Sequence, residues 1–90
     1  MPSKIRCSHI LVKTKEEADE MIEELAHGAS FAKLAEMHSA CPSRKKGGDL
    51  GFFGRGQMVR EFEKAAFALE KGQTSQPIKT EFGWHVIRRT

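Results

Sequence analysis

The sequence has no long hydrophobic segment, only two cysteines and almost no excess of either charge. No apolar run approaches the ~18 residues of a membrane-spanning helix, and no basic-then-apolar leader opens the chain. We therefore expect a soluble, cytoplasmic protein without a membrane partner. Cys7 and Cys41 are too few for a disulfide framework, and reduced thiols suit the cytosol.

The small net charge argues against a nucleic-acid binder. Fifteen basic and twelve acidic residues leave a net charge of +3, and the short basic runs are Arg44–Lys46 and Arg88–Arg89. We interpret these charges as solvated surface rather than as a footprint for a polyanion, so no nucleic-acid partner is expected.

The length and composition predict one small globular domain. Ninety residues are enough for a single core, and we predict a monomeric domain over residues 1–90. With 39% hydrophobic and 30% charged residues, the composition is too apolar for a disordered chain. No repeat, linker or low-complexity segment divides it.

The first half of the chain predicts a strand followed by two helices. Residues 4–13 carry apolar side chains on both faces, as in a central strand covered on two sides. Thr14 and Glu17 form a capping-box pattern ahead of one amphipathic helix, and Ser30 is the expected N-cap of a second. The residues predicted to face inwards are Ala18, Met21, Ile22, Leu25 and Ala26 in the first helix, and Phe31, Leu34, Ala35 and His38 in the second.

The second half predicts a strand, a helix and two more strands. A basic loop at 44–48 leads to a short strand at 50–53, and a third helix then carries Val59, Phe62, Ala66 and Leu69 on one face and ends at 71–72. An edge strand at 76–79, a tight turn at 81–84 and a last strand at 85–89 complete the chain. The order β-α-α-β-α-β-β predicts an α+β fold with a four-stranded antiparallel sheet surrounded by about four helices. The long first and last strands are expected in its centre.

A glycine-rich stretch runs from Gly47 to Phe62. It holds five of the eight glycines, which is typical of turns and of close backbone approaches. The large apolar residues between these glycines are Leu50, Phe52, Phe53, Met58 and Phe62. They either anchor a loop on the core or line a recessed apolar pocket, and taken alone they favour the anchor.

Three polar residues become candidates for chemistry when they are considered together. Singly, His9 and His85 fit hydrogen-bonded core histidines, and Cys41 fits an inert small hydrophobe. If the first and last strands are neighbours, the histidines lie side by side with Cys41 on the loop above. A zinc site has no CxxC or HxxxH spacing to support it, and a Cys-His hydrolase has no evident oxyanion hole, so no metal is expected.

The motifs as a set resemble the parvulin-type peptidyl-prolyl cis/trans isomerases over essentially the whole chain. The resemblance rests on Cys-Ser-His-Ile-Leu-Val-Lys at 7–13, on Cys41, on Gly-Asp-Leu-Gly-Phe-Phe-Gly-Arg-Gly-Gln-Met at 48–58 with Phe62, and on Phe-Gly-Trp-His at 82–85. It implies the parvulin or FKBP-like element order given above. It also implies isomerisation of the peptide bonds that precede proline in polypeptide substrates, without a metal or cofactor.

The resemblance also assigns roles to individual residues. The implied catalytic set contains the paired histidines, the active-site cysteine and a hydroxyl of the histidine network, which match His9, His85, Cys41 and Thr80. The implied proline pocket consists of Leu50, Met58 and Phe62, with Phe82 at the position that closes it. Asp49 and Gln57 belong to the motif, and a purely structural role for them stays open.

The segment between the first strand and the first helix bears on substrate choice. Phosphate-directed parvulins carry an arginine-rich insertion there, whereas this chain has Thr14 and Lys15 followed at once by Glu16 and Glu17. We therefore expect no preference for phosphoserine-proline substrates.

Three classes of function follow from these observations. The chain is a prolyl isomerase, a non-catalytic chaperone module that binds proline peptides in the same groove, or a basic nucleic-acid binder. A module that only binds would be expected to have lost part of the catalytic set, so the complete set favours the enzyme. The acidic first helix and the lack of a binding motif disfavour the nucleic-acid binder.

Overall fold

The computed structural model describes residues 3–90, so the first two residues of the predicted domain 1–90 lie outside the described residues. Its strands are β1 (Lys4–Val12), β2 (Asp49–Gly54), β3 (Ile78–Thr80) and β4 (Gly83–Arg89), and its helices are α1 (Lys15–Ala26), α2 (Phe31–His38), α3 (Arg60–Ala68) and a 3₁₀ helix at Pro42–Lys46. The predicted element order and the α+β class are confirmed. Within residues 3–90, none of the helices is long and apolar enough to cross a bilayer.

The four strands form one antiparallel sheet in the order β2-β1-β4-β3. The two long strands pair in the centre as predicted, with His9 opposite Ile87 and Leu11 opposite His85. The pairing of β1 with β2 shifts register between Arg6 and Ser8, and the N–H of His9 donates to the carbonyl of Gly48 at 2.9 Å. This hydrogen bond holds the start of β2 against His9, one of the predicted site residues.

The sheet separates two hydrophobic cores. Ile10, Val12 and Val86 pack on one face against α1 and α2. Ile5, Cys7 and Ile87 pack on the other face with residues of β2 and α3 that include Phe53, Phe62 and Ala66. Because successive strand residues point to opposite faces, His9 and His85 lie on the α3 face, between the sheet and Phe62.

The helix N-termini follow the predicted caps, with one difference. The hydroxyl of Thr14 accepts from the N–H of Glu17 at 3.2 Å, and the hydroxyl of Ser30 accepts from the N–H of Lys33 at 3.3 Å. The Glu17 carboxylate accepts from the Thr14 hydroxyl at 3.2 Å instead of from a backbone amide. Only one half of the predicted capping box is therefore formed.

Several predicted boundaries are wrong by a few residues. Residues 44–48, predicted as a loop, lie mostly in the 3₁₀ helix, which has Pro42 in its first turn and ends where Gly47 takes a φ of 68°. The edge strand covers 78–80 rather than 76–79, because Pro77 has no N–H to give to a sheet. The last strand already begins at Gly83, since the Thr80–Gly83 pair continues its ladder with β3.

The third helix is shorter than its apolar period suggests. Val59 is its N-cap and Leu69 its C-cap, and both have extended backbone, so the helix ends before the predicted stop at Gly72. Ala26 and His38, predicted to face inwards, are both exposed at the last residue of their helices. The helical period assigns a residue to a face but does not say how far along the helix the core extends.

Candidate active site

A cavity of about 470 Å³ lies between the sheet and the start of α3. This volume falls in the ~300–1,000 Å³ range of sites for small ligands. Its lining consists of His9, Leu11, Ala40, Cys41, Pro42, Leu50, Gln57, Met58, Val59, Phe62, Phe82 and His85. The structure therefore brings seven of the eight predicted site residues to one cavity, and the eighth, Thr80, binds His85.

The two histidines are buried side by side on the central strands. Their Nδ1 atoms are 2.9 Å apart, and their rings stack with centroids at 5.1 Å and an interplanar angle of 18°. Phe62 meets both rings edge-on, with centroid distances of 5.5 Å to His9 and 5.3 Å to His85. Because one Nδ1 must donate and the other accept, each ring determines the tautomer of the other.

Thr80 extends this hydrogen-bonded pair towards the rim of the cavity. Its hydroxyl lies 2.7 Å from Nε2 of His85 and accepts from the N–H of Phe82 at 3.2 Å. The side chain of Phe82 is 64% exposed and stands at the cavity mouth. Thr80 thus connects the buried histidines with the residue predicted to close the pocket.

Burial keeps both histidines neutral. Loss of solvent, and to a lesser extent the neighbouring His85, lowers the pKa of His9 to about 4. Burial alone lowers the pKa of His85 to about 4. Two charged rings would also point two N–H donors at each other across the Nδ1–Nδ1 contact. The cavity wall therefore carries no formal charge at the histidines near neutral pH.

A serine that the sequence reasoning missed holds Cys41 at the cavity. The hydroxyl of Ser39 accepts from the N–H of Leu11 at 3.0 Å and from the N–H of Cys41 at 3.3 Å, and the N–H of Ala40 donates to the carbonyl of Leu11 at 2.8 Å. These bonds tie the end of α2 to the central strand. In the sequence, the only sign of this role is a serine just after the predicted second helix. A serine at that place fits the end of a helix equally well without any role in the site.

The two thiols differ in their surroundings. Both cysteines are free; Cys7 is buried in the core, where burial raises its pKa to about 11, whereas Cys41 is half-buried at the cavity. Three of the four imidazole nitrogens of His9 and His85 are bonded within the His9–His85–Thr80 chain, and Nε2 of His9 has no protein partner among residues 3–90. No imidazole bond therefore activates the Cys41 thiol in the described part of the chain.

Asp49 shapes the backbone from which Leu50 reaches the cavity. Its carboxylate accepts from Nε and Nη2 of Arg6 at 3.1 and 2.5 Å and from the N–H of Gly51 at 2.9 Å. The hydrogen bonds from Arg6 and Gly51 hold the pKa of Asp49 below its usual value. Asp49 thus makes two structural contacts next to Leu50, one to Arg6 of β1 and one to the N–H of Gly51 within β2.

The glycine-rich stretch divides between the core and the cavity. Phe53 is buried in the core and Phe52 is 71% exposed, while Leu50, Met58 and Phe62 line the cavity. Among residues 3–90, no group of three or more His, Cys, Asp or Glu side chains is placed to hold a metal ion. The lining is instead mostly apolar, around the neutral histidines and one thiol.

Comparison with known sequences finds a matching family. The model of a family described as "Rotamase: PPIC-type PPIASE domain" matches residues 9–90. The foldase protein PrsA of Geobacillus sp. (strain WCH70) is 53% identical over 88 residues, which cover 97% of this chain and 32% of that protein. The chain spans about a third of the length of the curated relatives it matches.

Solved structures share the fold. PrsA from Bacillus subtilis superposes with a TM-score of 0.95 at 48% identity, covering 98% of this chain and 35% of that chain. NmPin, the parvulin of Nitrosopumilus maritimus, superposes with a TM-score of 0.90 at 50% identity, covering 99% of this chain and 97% of that chain. The similarity to NmPin thus extends over nearly all of both chains.

Proposed function

The chain belongs to the rotamase family of PPIC-type PPIase domains, and from this membership we propose that it catalyses cis/trans rotation about the peptide bonds that precede proline. Its substrates are proline-containing polypeptides, in keeping with the name foldase that relatives carry. The reaction leaves no lasting covalent change, because it only rotates one amide through a barrier of ~18–20 kcal/mol.

The observation that carries this proposal is the apolar cavity beside two neutral, buried histidines. Leu50, Met58 and Phe62 supply aliphatic and aromatic walls for a proline ring, and the flexible thioether of Met58 adapts to either isomer. Phe82 is the residue at the mouth that closes over the bound ring.

Desolvation of the substrate amide is the main source of acceleration in this proposal. The planar amide is favoured by a charge-separated resonance form, which water solvates well. A proline ring that fills the apolar cavity displaces water from the amide, which favours the twisted, less polar transition state over the planar ground state. No proton transfer is needed, which fits histidines that stay neutral.

In this mechanism the polar residues orient and polarise the substrate amide. The histidines hold each other's tautomers through their Nδ1 atoms, and Thr80 holds His85, so that the wall beneath the substrate carbonyl is rigid. Cys41 is a polarizable neighbour of that carbonyl oxygen. A covalent attack would need a thiolate, and no imidazole bond favours one among residues 3–90, so Cys41 acts without forming a bond.

Substrate choice is proposed to be independent of phosphate. Only Lys13 and Thr14 separate β1 from α1, which leaves no room for an arginine-rich loop over the cavity. The absence of a cofactor, the cytoplasmic location and the monomeric state stay predictions.

The test measures cis-to-trans conversion of short X-Pro peptides by the wild type, by Met58→Ala and by Phe52→Ala. Loss of one apolar wall is expected to lower kcat/KM by roughly tenfold, about 1.4 kcal/mol of binding to the transition state. Phe52 is the matched control, because it lies in the same glycine-rich stretch and is 71% exposed outside the cavity. A wild type that binds the peptides without accelerating their conversion would leave the non-catalytic chaperone module as the function.

A further inference from the structure

The segment between β2 and α3, residues 55–59, carries three neighbouring residues of the cavity lining. Gln57, Met58 and Val59 all lie there, and we name the segment the Met58 loop. Gly56 in its middle has a φ of 88°, and the N-cap Val59 makes no capping bond through its side chain. The side chain of Gln57 holds the loop to the end of β2, because its Oε1 accepts from the N–H of Gly54 at 2.5 Å. Further contacts hold the loop to α3.

One carboxylate from α3 supplies two of those contacts. Oε1 of Glu63 accepts from the N–H of Gly56, and Oε2 of Glu63 lies 3.8 Å from Nη1 of Arg55. The Arg55 guanidinium also lies over the ring of Phe67, 4.3 Å from its centroid. The side chain of Glu63 is only 19% exposed, whereas that of Arg55 is 62% exposed, so Glu63 is the inner of the two partners.

The position of Glu63 in α3 links the loop to the pocket wall. Glu63 directly follows Phe62, which packs on both histidines, and it lies one turn after Val59. A hydrogen bond from an amide to a carboxylate is stronger than one between neutral groups. Through Glu63, the side of the cavity formed by Met58 is thus tied to the side formed by Phe62.

We propose that Glu63 is a positioning residue, which holds the Met58 loop in the conformation that accepts proline. The proposal rests on the function proposed above and concerns the same cavity. Without Glu63, the Gly56 N–H loses its acceptor and the loop populates conformations in which Met58 no longer lines the site. The apparent affinity for substrate then falls in proportion to the fraction of molecules whose Met58 loop is in the binding conformation. Bound substrate restores that conformation. KM therefore rises and kcat stays nearly constant.

The kinetic test compares Glu63→Ala, Glu63→Gln and Glu61→Ala. Glu61 is the matched control, since it is an exposed acid in the same first turn of α3 and its removal perturbs the helix dipole in the same way. Glu63→Ala is expected to raise KM for an X-Pro peptide roughly tenfold. Glu63→Gln keeps an acceptor oxygen for the Gly56 N–H and is expected to recover part of this loss, and Glu61→Ala should match the wild type.

A second readout does not depend on turnover. Hydrogen exchange of the Gly56 amide, followed by NMR, should be faster in Glu63→Ala than in Glu61→Ala, and Glu63→Gln should lie between them. If the wild type proved inactive, the proposed function would fail, but this exchange rate and NMR titration with the same peptide would still test the positioning. If Glu63→Ala did not fold, the same measurements on Glu63→Gln and Glu61→Gln would decide whether Glu63 positions the loop.

Two results would overturn the proposal. One is a Gly56 exchange rate and a KM in the Glu63 variants equal to those of the Glu61 variants. The other is a fall in kcat with unchanged KM, because that would place Glu63 in the chemical step rather than in the preparation of the loop.

Discussion

Acidification from about pH 7 to about pH 5 should destabilise the fold through the buried histidine pair. Burial, the largest cause, lowers the pKa of His9 and of His85 from 6.5 to about 4. The unfolded chain therefore binds protons on these rings that the folded protein does not bind between about pH 6.5 and pH 4. The pair's contribution to stability is complete above this window and is lost progressively as the pH falls through it.

The size of the effect follows from the proton count. A full difference of one proton changes the free energy of unfolding by about 1.4 kcal/mol per pH unit. The pair lines an open cavity where water screens part of this effect. One added proton can also be taken up at an Nε2 atom, so that the Nδ1–Nδ1 contact keeps one donor and one acceptor. We expect on the order of 1 kcal/mol per pH unit for both histidines together.

Urea denaturation at several pH values above pH 5 measures this slope. That range lies above the titration of Asp49, because Arg6 and Gly51 hold the pKa of its carboxylate below the usual value. A double variant with glutamine at both histidine positions should lose the slope, and His38→Gln, which replaces an exposed histidine, should keep it. A free energy of unfolding that is the same at pH 7 and pH 5 in the wild type would refute the burial argument.

Three further predictions concern single residues of the site. Thr80→Val leaves the N–H of Phe82 and Nε2 of His85 without a partner, so denaturation should show a loss of about 1–3 kcal/mol; an unchanged midpoint would contradict the role of the hydroxyl. Gly48→Ala should destabilise the protein more than Gly28→Ala, because both glycines have positive φ but only at Gly48 would a new Cβ meet the carbonyl of His9; equal melting temperatures would contradict this. Cys41→Ser should keep most of the turnover of X-Pro peptides, and complete loss would speak for a covalent step.

Much of the candidate site could be predicted because its residues belong to a distinctive motif. His9, Cys41, Leu50, Met58, Phe62, Phe82 and His85 were named from the sequence and lie around one cavity. Their catalytic and binding roles stay predictions until the variants are measured. The lining residues Leu11, Ala40, Pro42 and Val59 were missed, because an aliphatic residue, alanine or proline carries no chemical signal of its own.

The sequence by itself determined the element order, the central place of the two long strands and the first two helix caps, since these depend on local periodicity and on residues three or four apart. Only the tertiary structure decided the bonds that shape the site. The two Nδ1 atoms meet across 76 residues of sequence, Ser39 reaches back to Leu11, and Glu63 accepts from Gly56 outside its own helix. Such contacts follow from how the elements pack, and neither a helical nor a strand period carries that information.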